Sequence, residues 1–198
     1  MKIGLTGSSG SGKSTVAAMF LAMGYKIVDC DKISREIDSL PEYKAAVRKN
    51  FGNGAFDDNG GIDRRALGMI VFGNDALLAK LTEISHPIII ARVMEEIEKC
   101  GNADVVIDAP LLFESGLDKI CDTTIGVVAS AKLRARRVSR RDGITVKDAA
   151  RRVSFQKSID FYKMNCIHII ENNGTTEELE KKFAAVAEKM KPGRKKRE

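Results

Sequence analysis

No apolar run in this sequence approaches the roughly 18–20 residues that a bilayer-crossing helix requires. The opening, Met1-Lys2-Ile3-Gly4-Leu5-Thr6-Gly7, reaches glycine too soon to supply a secretory apolar segment. Cysteines are few and scattered: Cys30, Cys100, Cys121 and Cys166 form no C-x-x-C pair. That spacing excludes the usual zinc and disulfide frameworks and fits reduced, buried thiols in a cytoplasmic protein. Repeats and low-complexity stretches are also missing before the C-terminal tail. What remains is 198 residues, 43% hydrophobic and 30% charged, the size and balance of a single globular domain.

The net charge of +6 is concentrated in two places. Residues 188–198 hold six Lys/Arg and two Glu, and residues 132–152 hold nine Lys/Arg and two Asp. The rest of the chain is net acidic. The tail over 191–198 reads as a solvated, disordered basic segment. The internal cluster lies in patterned sequence and has a use to be found.

Short β-rich runs alternate with longer helical patterns, which predicts an α/β fold with a parallel sheet covered by helices. Strands are expected at Lys2–Thr6, Lys26–Asp29, Asp104–Asp108, Thr124–Ala129 and Ile167–Ile170. The first helix starts inside a glycine loop and ends near Gly24, and the last opens on the capping box Thr175-x-x-Glu178. Residues from about 32 to 100 show no good strand. They read as a helical substrate-binding insertion, broken at Gly52-Asn53-Gly54 and Asn59-Gly60-Gly61. A second helical excursion over about 131–165 reads as a lid.

Gly7-Ser8-Ser9-Gly10-Ser11-Gly12-Lys13-Ser14 matches G-x-x-x-x-G-K-[ST], with a strand before it and a helix after it. Glycines let successive amides converge on a polyphosphate, and the helix N-terminus adds partial positive charge. Lys13 then bridges the β- and γ-phosphates of ATP, and Ser14, followed by Thr15, offers a hydroxyl to Mg²⁺. No Asn-Lys-x-Asp guanine-reading motif is present, which turns the reading from GTPases towards small-molecule kinases.

Further motifs follow in order. They are Val28-Asp29-Cys30-Asp31, Phe51-Gly52, Ile62-Asp63-Arg64-Arg65-Ala66-Leu67, Val71-Phe72, His86-Pro87 and Asp108-Ala109-Pro110-Leu111-Leu112-Phe113-Glu114-Ser115-Gly116. Arg137-x-x-x-Arg141-Asp142-Gly143, Arg152-Val153-x-x-Gln156 and Asn172-x-Gly174 complete the series. With the glycine loop, they make the chain resemble the dephospho-coenzyme A kinase family from Lys2 to about Leu179. The resemblance implies a three-layer P-loop kinase core with a five-stranded parallel sheet. It also implies transfer of phosphate from ATP·Mg²⁺ to the ribose 3′-hydroxyl of dephospho-coenzyme A, the final step of coenzyme A biosynthesis. No nucleic acid, membrane or obligate protein partner is expected.

The same resemblance suggests roles. Asp31 is the candidate base for the acceptor hydroxyl, its alternative being a helix cap. Asp29 reads as structural or as a contact to metal-bound water. Arg137 and Arg141, spaced i and i+4, share a helix face suited to phosphate oxygens, whereas Lys132, Arg134, Arg136 and Arg140 read as solvating the lid's outer face. Arg64, Leu67, His86, Pro110, Leu111 and Leu112 are assigned to the acceptor, with an ordinary surface pair as the alternative for Arg64 and Arg65. His86-Pro87 is expected to begin a helix. Asp108, ending an apolar strand, is expected to hold Mg²⁺ through water. Asn172 and Gly174 are expected to read adenine. The chain departs from the family pattern at Ser8-Ser9, where Gly-Ile is usual, at Tyr162, where a lysine is expected, and at Cys166-Ile167. Two other readings compete with this one: a nucleoside or nucleotide kinase with a different acceptor, and a non-catalytic, ATP-dependent nucleic-acid or regulatory module suggested by the basic tail and lid.

Overall fold

A computed structural model describes residues 1–190; the expected disordered tail at 191–198 lies outside them. The chain divides into two compact units, Met1–Ile27 with the residues from Asn102 onward, and Val28–Gly101.

The first unit is built on a parallel sheet. Strands β1 (Lys2–Thr6), β2 (Lys26–Asp29, shared with the second unit), β3 (Val105–Asp108), β4 (Thr123–Val128) and β5 (His168–Glu171) take the order β2-β3-β1-β4-β5. β1 pairs in parallel with β3, Leu5 opposite Asp108, and with β4, Thr6 opposite Gly126. Alternation along the strands splits the faces. Ile3, Leu5, Ile125 and Val127 point to one side, where they meet Val16, Ala17 and Phe20 of α1 (Lys13–Ala22) and Leu179, Phe183 and Val186 of α9 (Thr176–Met190). Phe20 sets its ring edge-on to Phe183 at 4.8 Å. Each fully buried branched side chain here contributes roughly 1.5–3 kcal/mol. Gly126 lies on the opposite face, where its missing side chain leaves room for Tyr162 and Cys166.

Three helices follow β4: α6 (Ala131–Asp142), α7 (Val146–Ser154) and α8 (Ile159–Asn165). Their starts are capped by Ser130, Thr145 and Ser158, whose hydroxyls accept from the amides of Leu133, Asp148 and Phe161. Ala135, Val138, Ala149 and Val153 seal α6 against α7. Strands 3 and 5 each begin one residue later than expected, and β4 begins one earlier. Asp104, just before β3, binds the Met1 amino group with its carboxylate and accepts from Lys26 N with its carbonyl. Thr175 does cap the last helix, accepting from the Glu178 amide at 3.3 Å.

The second unit is helical. It contains α2 (Cys30–Glu36), α3 (Pro41–Phe51), α4 (Arg64–Val71) and α5 (Asp75–Lys99), with 3₁₀ turns at Ile37–Ser39 and Asn53–Ala55. Ile37, Tyr43, Val47, Ala55, Leu67 and Val71 form its core. His86-Pro87 does not begin a helix, as the sequence suggested; Pro87 lies inside α5. The true start is Asn74, whose side chain caps Leu77 twelve residues earlier. A proline there removes one ladder bond at a cost of about 3 kcal/mol. Its ring faces solvent while Ile84, Ile88 and Ile89 pack on the core, so burial on either side offsets the loss. All four cysteines are thiols, but only Cys30 is fully buried. Burial nevertheless pushes Cys121 and Cys166 up to about 12, so neither is a ready thiolate.

Candidate active site

The loop between β1 and α1 carries the strongest chemistry. Gly10 and Gly12 adopt φ of 79° and 100°, where side chains are strained. A Cβ on Gly10 would also meet Arg134 O at 2.8 Å, and one on Gly12 would strike the Asn172 amide. Ser11 N turns back to Ser8 O, but the amides of Gly10, Gly12, Lys13 and Ser14 have no backbone acceptor among the described residues. Ser11 Oγ is buried without a partner. Four converging free donors and an orphaned hydroxyl at a helix start form a cradle for phosphate oxygens.

Lys13 Nζ is paired with Asp108, the two side chains 13% and 11% exposed. The β1–β3 register explains the meeting, since it sets Asp108 beside the strand that feeds the loop. Among the described residues no three His, Cys, Asp or Glu side chains cluster as a metal cage. The exposed Ser14 hydroxyl and the Asp108 carboxylate therefore suit a hard cation that arrives on phosphate oxygens, as Mg²⁺ does.

One face of α6 presents three arginines to the loop. Arg137 donates to Gly10 O at 3.2 Å, and to Asn172 O and Oδ1 at 3.2 and 3.3 Å. Arg141 reaches Ser9 Oγ at 3.1 Å and pairs with Asp142, which also takes Arg152 at 3.3 Å. The Asp142 hydrogen bond raises the pKa of Arg141, and in return Arg141 lowers that of Asp142. Arg134 corrects the sequence reading. It does not solvate an outer face: it is 5% exposed, donates to Ser9 O at 3.1 Å and is bonded to Gln156. Positions 134, 137 and 141 share one side of the helix, which the i, i+3, i+4 rule would have included. Lys132, Arg136 and Arg140 are exposed as expected. The Arg134 and Arg137 acceptors at the loop are neutral oxygens, so their positive charge is not cancelled there.

Asn172 also differs from expectation. Its side chain is buried and donates to Ser11 O at 2.8 Å, so it braces the phosphate loop and is not turned outward to a base. Glu178 lies over Gly174, where a side chain would collide with it. After β3, Thr6 Oγ1 donates to Pro110 O at 3.2 Å, Leu112 is fully buried and Leu111 is 54% exposed. Sequence reasoning missed the partners of this turn: Phe113 stacks edge-on with Phe161 at 5.8 Å, and Glu114 faces Lys157 at 3.6 Å. It also missed the hydrogen bond between Ser8 and Tyr162, whose only sequence signal was two unusual residues.

In the helical unit, Asp29 caps α2 by accepting from Lys32 N at 3.0 Å. Asp31, in the first turn, is exposed and its carboxylate caps nothing. Arg64 is held by Asp38 and Ser34, while the side chain of Arg65 is exposed. Leu67 belongs to the core and His86 is half-buried on α5.

A parallel sheet, a glycine loop with unmet amides, a lysine at the first helical position and arginines closing on the loop define a P-loop phosphotransferase. A family model described as dephospho-CoA kinase matches residues 1–178. The curated dephospho-CoA kinase of Fusobacterium nucleatum is 38% identical over 188 residues, 95% of this chain and 97% of that protein. A crystal structure from Thermus thermophilus superposes with a TM-score of 0.83 at 31% identity, covering 96% of this chain and 98% of that one. Dephospho-CoA kinase from Campylobacter jejuni gives 0.69 at 26% identity, over 96% and 97%. This chain belongs to the dephospho-CoA kinase family.

Proposed function

We propose that the chain performs its family's reaction, phosphorylation of dephospho-coenzyme A to coenzyme A at the ribose 3′-hydroxyl, with ATP·Mg²⁺ as donor and the residues above dividing the work. The carrying observation is the loop over residues 7–12, with its unmet amides, followed by Lys13. The amides of Gly10, Gly12, Lys13 and Ser14 take the β- and γ-phosphate oxygens. Lys13 exchanges part of its bond to Asp108 for the same oxygens, a compact cation suited to a moving phosphoryl group. Arg137 and Arg141 neutralise charge that grows on the transferred group, which preorganised donors do without reorganisation at the moment of reaction. Ser14 and Asp108 would hold Mg²⁺ on the phosphates, where the ion would supply charge neutralisation.

Asp31 serves as the base. A ribose hydroxyl is a weak nucleophile, and a carboxylate within hydrogen-bond reach orients it and takes its proton. That Asp29 and not Asp31 does the capping leaves Asp31 available. Arg64, held in place by Asp38, binds acceptor phosphate, with Leu67 supporting it from the core and His86 lending a polar contact. Pro110, Leu111 and Leu112 form an apolar wall for the acceptor. Residues 131–165 act as the lid and about 32–100 as the acceptor-binding insertion. Adenine is read by the loop over residues 172–174, which includes Gly174, with the Asn172 side chain as its brace. No helix among the described residues is long and apolar enough to cross a membrane, and a cytoplasmic setting suits the four thiols.

Incubation of the purified chain with ATP·Mg²⁺ and dephospho-coenzyme A, read by mass, tests the proposal. Coenzyme A must appear; ATP consumption without it would overturn the acceptor assignment.

A further inference from the structure

Ser8 and Tyr162 are 9% and 5% exposed, and their oxygens lie 3.0 Å apart. Ser8 Oγ also stands 3.4 Å from Lys157 O, an oxygen that can only accept. The single Ser8 proton therefore points to Lys157 O, and the Tyr162 O–H donates to Ser8 Oγ. Burial raises the phenol's pKa, which keeps that donor protonated across the neutral range.

The phenol is not itself adrift. α8 packs on β4 and β5, the Tyr162 Cβ lies over Gly126, and the ring meets Phe161 edge-on at 5.4 Å. The hydrogen bond thus ties a glycine-rich loop to a point fixed on the sheet. Next to it, Arg134 holds Ser9 O and is bonded to Gln156, which binds the same loop to the segment between α7 and α8.

We propose that Tyr162 is a positioning residue for the nucleotide site: through Ser8 it holds the phosphate loop in the shape whose free amides receive the polyphosphate. The proposal rests on the loop being the ATP site. A loop already fixed loses less freedom when ligand binds, so preorganisation appears as affinity. Tyr162 touches no reacting atom, so its loss weakens nucleotide binding and leaves the chemical step nearly intact.

The test compares unmodified chain, Tyr162→Phe, Ser8→Ala and the double variant. ATP·Mg²⁺ affinity is measured by titration calorimetry, and apo hydrogen exchange is followed at the Ser11 amide, which is bonded to Ser8 O. Phe keeps the ring, so a purely packing role predicts no change. The latch predicts that each single variant weakens ATP about fivefold, the equivalent of one hydrogen bond of about 1 kcal/mol. The double variant should match Ser8→Ala, which has already removed the pair together with the longer contact to Lys157 O. For Tyr162→Phe, KM for ATP rises while kcat changes less than about twofold. Exchange at the Ser11 amide quickens in both singles. Unchanged exchange, unchanged affinity in Tyr162→Phe, or fold-losses that multiply in the double variant would each overturn the latch. Failure of the unmodified chain to bind ATP would instead overturn the ATP-site reading, and is told apart by the exchange data, which need no nucleotide.

Discussion

The two units close their interiors in different ways. In the sheet unit every residue of β3 and β4 is buried, and Ile3, Leu5, Phe20, Ile125 and Ile170 are wholly removed from solvent. In the helical unit α5 runs for 25 residues and buries only Val93 and Ile97. Leu77, Leu81, Ile84, Ile88 and Ile89 are half-buried around its core, and Met69 and Phe72 stand 69% and 82% exposed. A phosphate cradle requires donors fixed to within a fraction of an ångström, and close packing supplies that rigidity. A thinner core opens locally at lower cost, which suits the proposed role of this unit in admitting and releasing an acceptor.

Lys13→Ala should break the comparison hardest, because it strikes the rigid side. It removes a cation from the phosphates and leaves Asp108 buried without its ammonium. We expect kcat/KM to fall roughly 10³–10⁴-fold, the range for losing a transition-state donor together with ground-state binding. ATP affinity should fall as well, by calorimetry. Asp31→Ala, in the thinner unit, should lower kcat about 10²–10³-fold while ATP affinity stays within about twofold. Near-normal turnover in Asp31→Ala would remove the base assignment.

That contrast also marks what the sequence made legible. The glycine loop, the strands and the helix face that Arg137 and Arg141 share follow from local rules: glycine dihedrals, period-two apolar runs and i, i+4 spacing. What escaped depends on partners distant in the chain. Arg134 looks like any lid cation until Ser9 O and Gln156 are brought to it. Asn172 resembles a base-reading side chain until Ser11 O takes its amide. His86-Pro87 suggested a helix start because proline favours that position, but the cap Asn74 and the apolar face of α5 outweighed the local rule.

Core substitutions sharpen the comparison at smaller scale. Ile125→Ala, at a site fully enclosed by the sheet and its helices, should cost about 2–5 kcal/mol in urea unfolding. Leu77→Ala, half-buried on α5, should cost about 1–2 kcal/mol, since part of its surface already faces water. Equal losses would mean that the helical unit is packed as tightly as the sheet unit.

The smallest expected effect is electrostatic. His168 opens β5 opposite Ile125, and burial first, then the nearby Lys189 charge, lowers its pKa below the ordinary 6.5. Above about pH 6.5 the imidazole is neutral folded or unfolded and contributes nothing to the pH dependence. As pH falls below that value the unfolded chain takes up the proton more readily, so stability declines until the folded pKa is also passed. Glu171 and Asp142, both lowered by basic partners, titrate in the acid range below this window. Urea midpoints at pH 7.5 and 5.5 therefore bracket the histidine transition. His168→Gln should narrow the difference between them, and an undiminished difference would assign the slope elsewhere. The effect should be modest because the ring keeps part of its surface in water, where solvent screens the Lys189 charge and limits the desolvation behind the shift.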